Sequence, residues 1–317
     1  MINWIGEENF EERMHSEAEP YLAQRMESGF FERAVGEPIY YEHYKADSPK
    51  GVIVISHGFT ETIKKFTESI YYMLQAGYDV WGPDHRGHGR SFRMNDNPYV
   101  VHTEHFEDYV LDLEFFVRTI VRPASGDLPV YLYAHSMGGC IGAWIIEEYQ
   151  TLFDKAVLSS PMLGLSFGAI PVPVVYAAAS IIGIGNRRKN PFGSDGKFKG
   201  EPDFENSAGS SECRYNYNFK KILADPKIQT CAPSIQWGKE AAKACSFVFT
   251  EADMIRIPVL LFQAGADTVV KNEAQDLFAD WVENCEFVKI PDMKHELYMT
   301  NMPVLKDYWE KIFSFYG

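Results

Sequence analysis

Pro129-Val-Tyr-Leu-Tyr-Ala-His-Ser136-Met137-Gly138-Gly139 is the stretch that decides the fold. Val130 to Tyr133 is a short β-branched and aromatic run, which predicts a buried strand. The run stops abruptly, and Gly138-Gly139-Cys140-Ile141-Gly142-Ala143-Trp144 continues with small residues and then helical apolar spacing. A strand, one serine and a helix in immediate succession is a nucleophile elbow, with the serine on a strained turn above the sheet. Small residues are needed on both sides because strand and helix nearly touch. The usual pattern is G-x-S-x-G, and here alanine stands at the first glycine, in Ala134-His135-Ser136-Met137-Gly138. The alternative reading is a plain small-residue turn. The strand before the serine and the helix after it favour the nucleophile.

Outward from that stretch the chain alternates strands and helices. Gly51 to Ile55 is a continuous β-branched run, as expected for a strand buried on both faces of a parallel sheet. Tyr40 to Tyr44 suggests an earlier strand, and Glu7 to Arg33 an irregular or helical lead-in. Further strands are predicted at Asp79–Trp81, Ala156–Leu158, Ile257–Gln263 and Glu286–Ile290. A helix is predicted from Phe66 to Gln75, capped by Gly77, and another from His105 to Val121, ended by Pro123. The rhythm breaks between Pro161 and Asp253, where only two helical patches show, near Lys220 and Lys239. A structureless loop of that length is implausible. The fold class is therefore α/β: a mainly parallel central sheet flanked by helices, with an inserted helical cap. Residues 1–161 and 253–317 form the core, and 162–252 the cap over the carboxyl edge of the sheet, where ligands bind in such folds.

Composition narrows the function. The 317 residues carry a net charge of −14, which excludes nucleic acid as a partner. Hydrophobic residues make 46% and aromatics 15%, as in a globular chain. The five cysteines form no metal or paired spacing, so a reducing cytoplasm is the default location. The acidic N-terminus lacks the apolar stretch of a signal peptide.

An alkyl serine needs a neutral imidazole to take its proton and a carboxylate to hold that imidazole. On an elbow fold the chain order is serine, acid, histidine. Asp267 follows the penultimate strand and His295 the last one, so both reach the edge that carries Ser136. Asp292 is a rival acid on the same loop as His295, and Asp253 a weaker one. His57, His85, His88, His102 and His105 lie upstream, and His135 sits inside the elbow with its ring expected to turn away. The oxyanion needs two backbone N–H donors, expected from Met137 at the start of the following helix and from Phe59 in His57-Gly58-Phe59. Neither metal nor cofactor is required. The Asp84 to Ser91 loop reads as structural, its glycines turning the chain and its Asp and Arg bracing neighbours.

His57-Gly-Phe-Thr-Glu61, Asp84-His-Arg-Gly-His-Gly-Arg-Ser91, Ala134-His-Ser-Met-Gly-Gly139, Ala264-Gly-Ala-Asp267 and His295 together resemble the lysophospholipase and monoacylglycerol-lipase branch of the α/β hydrolases. The cap segment Ser211-Glu-Cys-Arg-Tyr-Asn-Tyr217 is closer to bacterial lysophospholipases. The resemblance implies Ser136 as nucleophile, His295 as base, Asp267 as orienting acid, and Phe59 and Met137 as oxyanion donors. It also implies a single-chain lipid ester as substrate, while the same fold hosts aminopeptidases and feruloyl-type esterases. An aminopeptidase would need an acidic subsite, for which Glu201, Asp203, Glu205 and Glu212 are candidates. A non-catalytic binding protein on the same fold is the reading from another class. Oligomeric state is left open.

Within the cap, Ala169 to Gly185 is uncharged and rich in Ile, Val and Ala, and Arg187-Arg188-Lys189 follow. Pro171, Pro173 and its shortness argue against a membrane span. Its readings are a buried cap helix, an acyl-chain wall to which Val175 and Ile181 contribute, or transient contact with a membrane surface, the basic trio meeting anionic headgroups. The acyl-chain wall is favoured.

Overall fold

The computed structural model describes residues 1–165, 180–191 and 197–317. Eight strands form one sheet: β1 (Met26–Glu32), β2 (Pro38–Tyr44), β3 (Gly51–Ser56), β4 (Tyr78–Pro83), β5 (Val130–His135), β6 (Lys155–Ser159), β7 (Val259–Ala264) and β8 (Cys285–Ile290). Their spatial order is β1-β2-β4-β3-β5-β6-β7-β8. β2 pairs antiparallel with both β1 and β4, and every pairing from β4 to β8 is parallel. The registers Ser56 opposite Ala134 and His135 opposite Ser159 bring the ends of β3, β5 and β6 to one level.

Alternation along the central strands supplies two cores. Val52 and Val54 join Leu132, Ile141 and Ile145 on one face, whereas Ile53 and Ile55 join Tyr133, Trp309 and Ile312 on the other. Helices α1 (Thr67–Gln75), α2 (Glu107–Phe116), α3 (Met137–Glu148), α6 (Asn272–Trp281) and α7 (Val304–Tyr316) cover the sheet. Two more, α4 (Glu212–Ala224) and α5 (Ile235–Phe247), lie in the stretch that interrupts the strand rhythm, where the two helical patches were expected.

Two local expectations are corrected. The lead-in is helical over residues 10–23, but it then forms β1, an edge strand whose residues are mostly exposed. Pro123 does not end its helix. A π turn (Val117–Val121) precedes a fresh helical turn (Arg122–Ser125), and the proline sits in that turn's first positions, where its missing N–H costs nothing. The chain leaves the helix at Gly126, φ 57°. The Asp84–Ser91 loop behaves as expected: Gly87 and Gly89 have φ of 79° and 52°. Asp84 accepts from the Ile63 and Arg90 N–H groups at 3.0 Å each. Arg86 donates to Asp112 on α2 at 2.7 and 2.9 Å.

Candidate active site

Ser136 joins β5 to α3 with φ 54° and ψ −117°, a conformation most side chains avoid. The surroundings over-determine it. A Cβ on Gly138 would lie 2.1 Å from the Ser56 carbonyl oxygen, and one on Gly139 would lie 2.6 Å from Pro161 Cα. The departure at Ala134 is absorbed across the same interface: a Cβ on Gly142 would come within 2.8 Å of the Ala134 methyl. The Ser136 carbonyl accepts from Met162 N–H at 2.8 Å and Cys140 N–H at 3.1 Å.

The three side chains that the chain order singled out meet here. Ser136 Oγ and His295 Nε2 are 2.8 Å apart, and His295 Nδ1 lies 2.6 Å from Asp267 Oδ2. The other Asp267 oxygen accepts from the Val269 and Val270 N–H groups at 2.8 and 3.1 Å, which fixes the carboxylate. Both side chains of that pair are almost fully buried. Asp292 sits at a φ of 59° beside the histidine loop, and it is Asp267 that bonds the ring.

Neither the Phe59 nor the Met137 N–H has an acceptor among the described residues. Met137 is the first residue of α3, where the N–H groups are free and the helix dipole is positive. The loop that carries Phe59 is shaped by Glu61, whose Oε2 accepts from Gly58 N–H at 2.7 Å. A Cβ on Gly58 would lie 3.1 Å from that of Ser136, so the loop and the elbow are in contact. The Phe59 ring lies tilted against Trp237 of α5, centroids 4.1 Å apart, and Trp237 Nε1 donates to the Tyr109 hydroxyl at 3.2 Å.

Sequence reasoning gave Glu61 no role, yet it centres a buried network. Its Oε1 accepts from the Tyr298 hydroxyl at 2.6 Å and from Lys65 at 3.0 Å, and Lys65 also donates to Glu296 at 2.6 Å. Burial would raise the Glu61 carboxyl, but Lys65, His135 and Tyr298 outweigh it and hold it well below the usual range. Burial would lower the Lys65 ammonium, but Glu296 and Glu61 push it above its ordinary value. The i,i+4 spacing of Glu61 and Lys65 was the available signal.

The remaining histidines of this edge serve the framework. His57 Nδ1 donates to the Gly58 carbonyl at 2.8 Å while its Nε2 accepts from His85 N–H at 2.9 Å. Burial pushes its imidazole down to about 4. His135 donates to the Ser159 carbonyl at 3.1 Å, with its ring centroid 4.9 Å from that of His295, and burial pushes it down to about 3. No group of His, Cys, Asp or Glu suited to a metal occurs among the described residues. Of the two residues expected in the acyl wall, Val175 lies outside the described residues and Ile181 is 70% exposed.

The segment over this edge is stitched to the core. Glu296 N–H donates to the Ala208 carbonyl at 2.9 Å, and Ser210 and Ser211 N–H groups donate to the Met299 carbonyl at 3.1 and 3.0 Å. Arg214 of α4, fully buried, reaches Glu68 of α1 at 2.9 Å and Glu7 at 2.8 Å.

Comparison with known proteins gives a consistent picture. A family model described as serine aminopeptidase, S33, matches residues 47–301. Lysophospholipase L2 of Escherichia coli K12 is 31% identical over 247 residues, covering 77% of this chain and 71% of that protein. Monoglyceride lipase of Mus musculus is 26% identical over 251 residues, covering 78% and 75%. Among solved structures, a soluble variant of monoglyceride lipase from Saccharomyces cerevisiae superposes with a TM-score of 0.70 at 16% identity, over 91% of this chain and 94% of that one. A thermostable carboxyl esterase from Bacillus coagulans superposes with a TM-score of 0.74 at 19% identity, over 92% and 98%.

Proposed function

The chain belongs to the serine aminopeptidase S33 family of α/β hydrolases, and from that premise we propose that it hydrolyses single-chain lipid esters, lysophospholipids or monoacylglycerols, through an acyl-Ser136 intermediate. The hydrogen-bonded line from Ser136 Oγ through His295 to Asp267 carries the reading. Ser136 Oγ attacks the ester carbonyl as His295 Nε2 takes its proton, and Asp267 holds the ring and steadies the imidazolium. The Phe59 and Met137 N–H groups receive the alkoxide. His295 then returns the proton to the leaving alcohol, and a water molecule attacks the acyl-serine by the same route in reverse.

The aminopeptidase reading of the family name finds less support. The four acids proposed for an amine subsite, Glu201, Asp203, Glu205 and Glu212, are all solvent-exposed. The carboxylates close to the relay, Glu61 and Glu296, are both committed to Lys65. Residues 162–252 serve as the cap that admits the acyl chain. The cap also touches a membrane surface transiently. Ile181, Ile182 and Ile184 are 70%, 58% and 78% exposed, and Arg187, Arg188 and Lys189 follow them. The protein thus works at the membrane periphery, on the cytoplasmic side, where its five unpaired cysteines stay reduced.

Release of fatty acid from a lysophospholipid and a monoacylglycerol of one chain length, with an aminoacyl anilide alongside, tests the proposal. The wild type is expected to cleave both lipids and spare the anilide, and Ser136→Ala to lose at least about 10⁴-fold in kcat. Turnover of the anilide alone would replace the esterase reading with the peptidase one.

A further inference from the structure

The loop that carries Phe59 is tied down at its two ends and loosely held at its middle. Gly58 N–H donates to Glu61 Oε2 at 2.7 Å, and Glu61 N–H returns to the Gly58 carbonyl at 3.3 Å. Between them Thr60 takes a left-handed φ of 60°. The Thr60 hydroxyl donates to the Phe59 carbonyl at 2.7 Å, a bond that stays within the loop. Among the described residues, no backbone hydrogen bond from Phe59 leaves the turn. A peptide that follows a glycine is only weakly directed by its own backbone preferences. An oxyanion donor, by contrast, must be aimed before the alkoxide forms.

What does leave the turn is the Phe59 ring. It lies between His88 of the core, edge-on at 5.8 Å, and Trp237 of α5, tilted at 4.1 Å between centroids. Trp237 falls within the inserted segment, yet it is fastened to the core. Val100 and Val101 pair with Ala232 and Pro233, and Ser234 N–H donates to the Val101 carbonyl at 2.8 Å. Ser234 Oγ then caps α5 by accepting from Trp237 N–H at 3.0 Å, and it lies 2.9 Å from His102 Nδ1. The indole is buried, and its Nε1 donates to the hydroxyl of Tyr109 on α2 at 3.2 Å. Turning the ring would leave that N–H buried without an acceptor, so the indole is oriented as well as packed. Simple filling of the space beside Phe59 would ask only for apolar bulk.

We propose that Trp237 is a positioning residue for the oxyanion donor: its indole, set by Ser234 and Tyr109, holds the Phe59 ring against His88 and so aims the Phe59 N–H at the alkoxide. The inserted segment is then part of the hydrolytic machinery as well as a cover over it, and displacing α5 weakens the oxyanion hole. The proposal rests on the serine-esterase reading above, and it concerns the rate of the chemical step rather than the choice of ester.

Two measurements test it. The first is kcat and KM on a short ester, p-nitrophenyl butyrate. Trp237→Ala is expected to lower kcat about 100-fold with KM within about threefold of wild type, as for a donor moved out of line. Trp237→Phe, which keeps a ring on Phe59, is expected to recover most of that loss. Phe59→Ala keeps the N–H and removes the ring, so it should match Trp237→Ala. The double variant should be no slower than either, because both substitutions release the same peptide. The second measurement is inhibition by an alkyl trifluoromethyl ketone. Ser136 Oγ bonds to its carbonyl carbon, the π electrons move onto oxygen as an alkoxide, and His295 takes the proton. Its affinity is expected to fall by the same factor as kcat in each variant. A kcat within about threefold of wild type in Trp237→Ala would overturn the proposal, and so would single losses that multiply in the double variant. Should Trp237→Ala fail to fold, Trp237→Leu with Phe59→Ala carries the same cycle. A wild type that binds the ketone and hydrolyses no ester would remove the ester reading alone, and the ketone affinities would then judge Trp237.

Discussion

His57 and His295 both flank the turn where an oxyanion would form, and their surroundings are opposite. His57 lies behind the Gly58 peptide, sealed from solvent, with one ring nitrogen on a carbonyl and the other on an N–H. Its neighbours are other imidazoles, His85 at 4.5 Å and His88 at 5.2 Å between centroids. His295 has a hydroxyl on one nitrogen and a carboxylate on the other. Proximity to the nucleophile therefore does not make a base. A base needs a proton donor to relieve and an anion to steady the cation it becomes, and burial without an anion locks the ring neutral.

The largest expected effect comes from taking away the anion while keeping the shape. Asp267→Asn offers His295 an amide in place of a carboxylate and permits the wrong tautomer, so kcat should fall by about 10⁴-fold in an ester assay. The equivalent change on the other side of the comparison, His57→Gln, keeps a donor and an acceptor within reach of the Gly58 carbonyl and His85 N–H. It should alter kcat by less than about tenfold, because it touches the reacting atoms nowhere. Equal losses in the two variants would erase the distinction.

A smaller effect extends the comparison to a carboxyl group. Glu147, on the helix that begins after Ser136, is buried with neither carboxylate oxygen partnered among the described residues. Burial, helped by Glu251 and Glu148, pushes it up to about 8. Because its folded value lies above the unfolded one, its destabilising effect is absent below about pH 4.5 and grows as pH rises toward 8. Glu147→Gln should leave the Tm unchanged near pH 4.5 and raise it by roughly 5 °C at pH 8.5. A shift of equal size at both pH values would show that the titration of Glu147 does not set the difference.

Much of this edge was legible in the chain. The strand–serine–helix succession located Ser136, and the placement of Asp267 and His295 after the last two strands assembled the relay, because strand ends converge whatever the loops do. The continuous β-branched run of β3 announced a strand covered on both faces. What escaped notice depended on partners distant in sequence. The tolerance of Ala134 lies in Gly142, which is only visible once the helix is laid on the strand. β1 was missed because an edge strand has no buried face to impose a period. Pro123 was misjudged because a π turn resets the hydrogen-bond ladder just before it. Arg214 reads as an ordinary basic residue on a polar helix, yet it is wholly buried against Glu68 and Glu7. The Glu61, Lys65 and Glu296 network joins two loops far apart in the chain, so only half of it, the i,i+4 pair, had a local signature.

The central claim is that one serine, activated by one histidine, does the chemistry. Peptide mapping by mass spectrometry after treatment with a fluorophosphonate tests it most directly, since the probe reacts with an activated serine whatever the natural substrate. The account predicts a single adduct, on Ser136, lost in His295→Ala and retained in His57→Gln. An adduct on another serine, or labelling of Ser136 that survives His295→Ala and disappears with His57→Gln, would contradict it.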